Sequence, residues 1–74
     1  MNKEQDLLNG HYDVQIKDKV TLTIDEAAAY SGIGVNKLRE LTKSLFCDFV
    51  LFVGRKTLIK RVPFETYINR ATEL

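Results

Sequence analysis

One cysteine and one histidine are all that this 74-residue chain carries of either type, and that scarcity removes whole classes of explanation. Cys47 has no partner for an internal disulfide, and Cys47 with His11 are too few for a zinc site of the usual Cys/His kind. Cys47 is then expected to be a small, partly buried hydrophobe, and His11 an exposed side chain. No apolar run approaches the ~18 residues of a membrane span, and the opening MNKEQDLLNGHYD has neither the basic start nor the apolar core of a signal peptide. There is no nucleophile beside an evident base, no phosphate-cradling glycine loop and no carboxylate cluster spaced for a metal. The reading is a cytoplasmic non-enzyme with no cofactor, no metal, no small-molecule ligand and no membrane partner. No repeat or low-complexity segment appears. The length suits one small domain, near the size at which a single core barely suffices.

Charge is present in both signs but unevenly placed. The net charge is only +1, yet residues 1–36 sum to −3, residues 37–61 to +5 and residues 62–74 to −1. A basic middle in a nearly neutral chain points to a polyanion met by one face. The plainer alternative is a solvated face balanced by acids elsewhere in space.

The chain is organised around residues 23–45, TIDEAAAYSGIGVNKLRELTKSL. Thr23 and Glu26 have the spacing of a capping box. Ile24, Ala27 and Ala28 follow as a narrow apolar stripe, so a first helix is expected here. Ser31-Gly32-Ile33-Gly34 then interrupts it as a four-residue turn, in which Gly32 takes a positive φ, Ile33 plugs the core and Gly34 caps a second helix. That helix begins at Val35, with Val35, Leu38, Leu41, Thr42 and Leu45 on its buried side. Asn36, Arg39, Glu40 and Lys43 fall opposite, with Lys37 on a flank. Two helices joined by a short glycine-containing turn form the helix-turn-helix pattern, whose second helix meets base edges in the major groove. The same pattern also describes an αα-hairpin with a solvated polar face.

The flanks complete the outline. Residues 1–11 read as a mobile polar tail, and residues 12–74 as one domain. Alternation through Tyr12, Val14 and Ile16, and again through Val20, Leu22 and Ile24, reads as an ordered arm at 12–16 and a short strand at 20–22. Lys17-Asp18-Lys19 interrupts the two. After the second helix, residues 49–53 (FVLFV) and 57–60 (TLIK) flank Gly54-Arg55-Lys56 as a β-hairpin with a basic tip. Its apolar first strand is expected to pack on a third helix, around Tyr67 and Ile68. Pro63 suits the first turn of that helix, and Phe64, Tyr67, Ile68 and Ala71 supply its buried face. The fold class is therefore α+β: a short strand, a two-helix helix-turn-helix, a β-hairpin wing and a C-terminal helix.

In this order the segments TLTIDEAAAYSGIGVNKLREL and FVGRKTLIKRVPFETYI resemble the small excisionases of integrative conjugative elements. These form a winged-helix group related to the MerR-type DNA-binding domain. The resemblance spans roughly residues 14–70. EAA-x-Y-x-G-I is shared with many MerR-like readers, whereas IG-x-NKLR together with the G-R-K…I-K-R wing is more discriminating. Two departures stand out: Val14-Gln15-Ile16-Lys17 where such arms often carry proline and an aromatic, and Val35 where a polar residue is frequent.

The resemblance implies a non-catalytic protein that binds double-stranded DNA near attachment sites, bends it and directs a tyrosine-type integrase toward excision. By position, Asn36, Lys37 and Arg39 fall on the recognition helix, Lys43 further along it facing phosphate, and Gly54, Arg55 and Lys56 on the wing. Glu40 either accepts from a cytosine amino group or pairs with Lys37 or Lys43; the pair is the expected role. No long helix follows in this sequence, so we expect monomers on adjacent sites rather than the coiled-coil dimer of full MerR regulators. Two other readings use the same features: a minimal MerR-like transcriptional repressor, and a protein-interaction module that binds an integrase or repressor through the apolar hairpin.

Overall fold

A computed structural model describes residues 14–74. The expected tail at 1–11, and Tyr12 and Asp13 of the expected arm, lie outside the described residues. A single 3₁₀ turn, Ile16–Asp18, leads into strand β1 (Thr21–Thr23), helix α1 (Ile24–Ser31) and helix α2 (Val35–Thr42). Strands β2 (Val50–Val53) and β3 (Lys56–Lys60) and helix α3 (Arg61–Arg70) complete the order. The sheet is antiparallel throughout, in the order β1-β3-β2. This is the winged helix-turn-helix architecture expected from the sequence.

Helix α1 starts where its cap dictates. The Glu26 amide donates to Thr23 Oγ1 at 3.1 Å, and the Thr23 amide donates to Glu26 Oε1 at 3.0 Å, so two amides left over at the helix start are satisfied reciprocally. The helix ends at Gly32, whose φ of 79° lets its amide turn back to the Ala28 carbonyl at 2.9 Å. The turn is one residue shorter than expected, because Ser31 is still helical: its hydroxyl donates to the Ala27 carbonyl at 2.7 Å and accepts from the Ile33 amide at 3.1 Å. Ile33 packs against the core and Gly34 stands as N-cap of α2 with extended dihedrals.

The hairpin turn is equally local in origin. Val53 pairs with Lys56, leaving Gly54-Arg55 as a two-residue loop. Gly54 has φ 59° and no non-glycine residue among the described ones has positive φ, which is the pattern of a type II′ turn with glycine first.

Nearly every element contributes one side chain to the core. Leu22 from β1, Ala27 from α1, Leu38 from α2, Phe49 from the loop before β2, Ile59 from β3 and Phe64 from α3 are all buried. Phe49 is the aromatic centre, with ring centroids 5.2 Å from Phe64 and 5.1 Å from Tyr67, both tilted. Tilted pairs at that separation suit the ring quadrupoles. Cys47 is half-buried against this cluster, as expected.

Arg61 ties the ends of the domain together. Its amide donates to the Val20 carbonyl at 2.9 Å and its Nε to the Lys19 carbonyl at 2.7 Å. Its guanidinium also pairs with Glu65 at 3.1 Å, and the Tyr30 hydroxyl donates to the other oxygen of the same carboxylate. That hydrogen bond, first, pushes the Tyr30 phenol above its ordinary pKa.

Three expectations need correction. The strand lies at Thr21–Thr23 rather than 20–22, and Val20 is 82% exposed. Val20 takes part only through its carbonyl, which accepts from the Arg61 amide, and its side chain stays in solvent. Helix α2 stops at Thr42, and Leu45, expected on its buried side, is 98% exposed. The last turn tightens: the Lys43 amide bonds to the Glu40 carbonyl and the Ser44 amide to the Leu41 carbonyl, each at 3.2 Å. These bonds span three residues instead of four, which rotates the following side chains off the helical stripe. Finally, the 49–53 run does not pack as a unit on the third helix. Phe49 does, while Leu51, Phe52 and Val53 are exposed, because β2 is an edge strand that runs on past the core.

Three outcomes follow from this packing and capping. Leu38→Ala should cost about 2–5 kcal/mol by leaving a cavity at a fully buried site, and Thr23→Ala about 1 kcal/mol through its lost cap; denaturant melts read both, and a Leu38→Ala variant as stable as the parent would contradict the packing. Glu26 is held below its ordinary pKa of 4.5, first by its hydrogen bond with Lys19 and then by the Thr23 amide. A depressed carboxyl stabilises the fold above its unfolded value and loses that contribution as pH falls through the folded one. Stability should therefore decline on acidification below that ordinary value, and less steeply in Glu26→Gln; parallel acid curves for the two proteins would contradict this role.

Candidate nucleic-acid interface

The polar side of α2 is the side that Leu38 leaves outward. With Leu38 buried in the core, Asn36, Arg39 and Glu40 are exposed and Lys37 is half-buried. Lys37 reaches Glu40 at 3.8 Å, one turn along the helix. This is the pair expected for Glu40, and it occupies the flank rather than the middle of the exposed side. Lys43 is not on the helix proper but is its C-cap residue, exposed and still right-handed at φ −84°, ψ −11°. Its side chain leaves from the place where α2 turns toward the hairpin.

The wing tip follows from the turn already described. Gly54, Arg55 and Lys56 are all exposed. Lys56 is the first residue of β3, and the type II′ geometry projects the tip beyond the sheet.

The distribution of ion pairs separates the two sides of the domain. Among the described residues the pairs are Lys19–Glu26, Lys37–Glu40 and Arg61–Glu65. Two of the three neutralise cations near β1, α1 and α3. Arg39, Lys43, Arg55 and Lys56 belong to none of them, nor do Lys17, Lys60 and Arg70. Four of these seven unpaired cations thus lie on α2, its C-cap and the wing tip.

Between these two elements lies a groove of about 480 Å³. Arg39 and Lys43 line its helix side and Phe52 and Thr57 its hairpin side. The structure therefore brings Arg39 and Lys43 together on one wall, while Asn36 and Lys37, at the start of α2, and the tip residues stand outside the groove. Phe52 and Thr57 were not among the sequence-derived site residues. Their signal was the register: Phe52 opposite Thr57 shares a sheet face with Val50 opposite Ile59, and Ile59 is buried. Phe52 thus sits on the helix-facing side but past the core.

Among the described residues no three His, Cys, Asp or Glu side chains gather as a metal site, and no helix is long and apolar enough to cross a membrane.

Comparison with known proteins agrees with this geometry. The family model described as "Excisionase from transposon Tn916" matches residues 10–74. A relative from Streptococcus agalactiae serotype V, "Excisionase from transposon Tn916", is 40% identical over 58 residues, covering 77% of this chain and 87% of its own. No solved structure matches the chain significantly. The match takes in the helix-turn-helix, the basic groove and the wing alike, and the chain belongs to the family of Tn916-type excisionases.

Proposed function

We propose that this protein is the excisionase of an integrative mobile element: a non-catalytic, sequence-selective DNA-binding protein that binds near attachment sites and bends the duplex. A tyrosine-type integrase is its partner and carries out strand exchange, in the excisive direction that the bound protein favours. Monomers occupy adjacent sites. The observation that carries this reading is the uncancelled positive charge shared by α2 and the wing. A duplex carries one negative charge per roughly 1.7 Å of its axis, so a surface of this sign and shape finds it by counterion release.

The roles divide by position. Helix α2 lies in the major groove, with Asn36 and Arg39 toward the base edges. Arg39 carries the sequence reading, because its guanidinium can bond a guanine's O6 and N7 together. Lys37, held by Glu40, supports the same segment, and Lys43 meets phosphate. Gly54 allows the tight tip, from which Arg55 and Lys56 reach the backbone flanking the groove.

If Arg39 reads a base, Arg39→Ala should cost roughly 1–3 kcal/mol on the attachment-site arm and little on scrambled duplex. A competition titration of the two duplexes at one fixed salt concentration measures it. Equal weakening on both would make Arg39 a phosphate clamp, and no loss on either, in a folded variant, would take α2 out of the groove. For the wing, replacing both Arg55 and Lys56 by Ala should flatten the plot of log K against log salt by up to about 1.8, at about 0.9 per phosphate contact. An unchanged slope in the folded double variant would put the wing off the DNA.

A further inference from the structure

The groove between α2 and the hairpin contains more than cations. Lys43 and Arg39 stand at its helix wall, Ser44 and Leu45 in the connecting loop, and Phe52 and Thr57 on the sheet. No carboxylate lines it. Phe52 is 63% exposed although it lies on the face of the sheet that carries the core. Leu45, next to it, is almost wholly exposed. Two bare apolar side chains beside two unpaired cations are an uncomfortable surface for water alone, since exposed apolar patches rimmed by polar groups mark contact sites.

The hydroxyls of the groove are not equivalent. Thr42 is buried and its hydroxyl already donates to the Arg39 carbonyl at 2.8 Å. Ser44 Oγ accepts from the Phe46 amide at 3.2 Å, which leaves its own proton to give outward. Thr57, opposite Phe52 in the sheet, lines the other wall. The groove therefore offers cations and hydroxyl donors to an anion, beside an apolar surface for something that is not charged.

A nucleic-acid strand has that alternation, phosphate then deoxyribose. With α2 in the major groove and the wing tip beyond its edge, the sugar–phosphate strand between the two must pass through the space that separates helix from hairpin. We propose that this groove clamps that strand: Lys43, Ser44 and Thr57 hold a phosphate while Phe52, backed by Leu45, packs against the adjoining deoxyribose. The inference rests on the assignment of α2 to the major groove. It adds Phe52, Ser44 and Thr57 as binding residues that act on the backbone and not on sequence. Contacts of this type set register on the duplex without reading it, so the clamp fixes how deeply α2 enters and which bases Arg39 reaches.

The test uses the full chain and two duplexes, the attachment-site arm and a scrambled sequence, titrated over a range of salt. Phe52→Ala should weaken both duplexes alike, about fivefold to twentyfold from the ring surface no longer covered, with the salt slope unchanged. Thr57→Val should weaken both by a smaller factor, again with no change of slope, while Lys43→Ala should flatten the slope by about 0.9. Phe52 and Thr57 are not buried, so thermal melts matching the parent are expected. Loss on the attachment-site arm alone in Phe52→Ala would overturn the clamp, since Phe52 would then be reading a base. Unchanged affinity in both Phe52→Ala and Thr57→Val would overturn it too. If Arg39→Ala in that case still weakens the attachment-site arm far more than the scrambled duplex, α2 remains in the groove and only the clamp is lost.

Discussion

The pairing of β1 with β3 is the constraint on which the rest depends. Leu22 stands directly opposite Ile59, and both are fully buried. β1 immediately precedes the helix-turn-helix and β3 is the returning strand of the wing, so this one register sets α2 and the wing side by side. Closing so long a loop costs chain entropy, and the buried pair must offset it together with Leu38, Phe49 and Phe64 from the elements enclosed or following. Arg61, directly after β3, extends the same junction on the β1 edge by bonding the carbonyls of Lys19 and Val20. Slipping the register by one residue would turn Leu22 and Ile59 outward and separate the helix from the wing.

The same junction explains the electrostatics. Acids are concentrated at the chain's beginning and cations in its middle, but the fold does not mix them evenly. Glu26 and Glu65 are spent on Lys19 and Arg61, cations that brace the sheet and helices. Arg39, Lys43, Arg55 and Lys56 are left without carboxylates among the described residues. A nearly neutral protein thereby keeps several unpaired cations on α2 and the wing, which allows association steering without a large net charge.

What was legible in the sequence was local. Thr23 with Glu26 specified the start of α1, Gly32 its end, Gly34 the start of α2 and Gly54 the wing turn, because each is fixed by bonds or dihedrals within a few residues. The outward placement of Asn36 and Arg39 came from helical period alone. The misreadings all lie at the ends and edges of elements. Leu45 continues the apolar stripe of α2 in sequence, yet the tightened last turn ends the helix before it. Phe52 lies in an apolar run that reads as core, but only the length of β2 relative to the packed helices shows that the ring overhangs the groove. Lys43 was placed on the helix and is its C-cap residue, one position beyond the last helical residue, where it continues the groove wall begun by Arg39. The wing charges were legible as a pattern, while their lack of partners required the fold.

The most direct measurement of the central claim is amide chemical-shift mapping by NMR, with the isotopically labelled full chain titrated with the attachment-site arm as a short duplex. The account predicts the largest changes at residues 36–44 and 52–57, with Tyr30, Glu65 and Ile68, on the α1–α3 side, left in place. Changes concentrated on that α1–α3 side, with residues 36–44 unmoved at saturation, would contradict it.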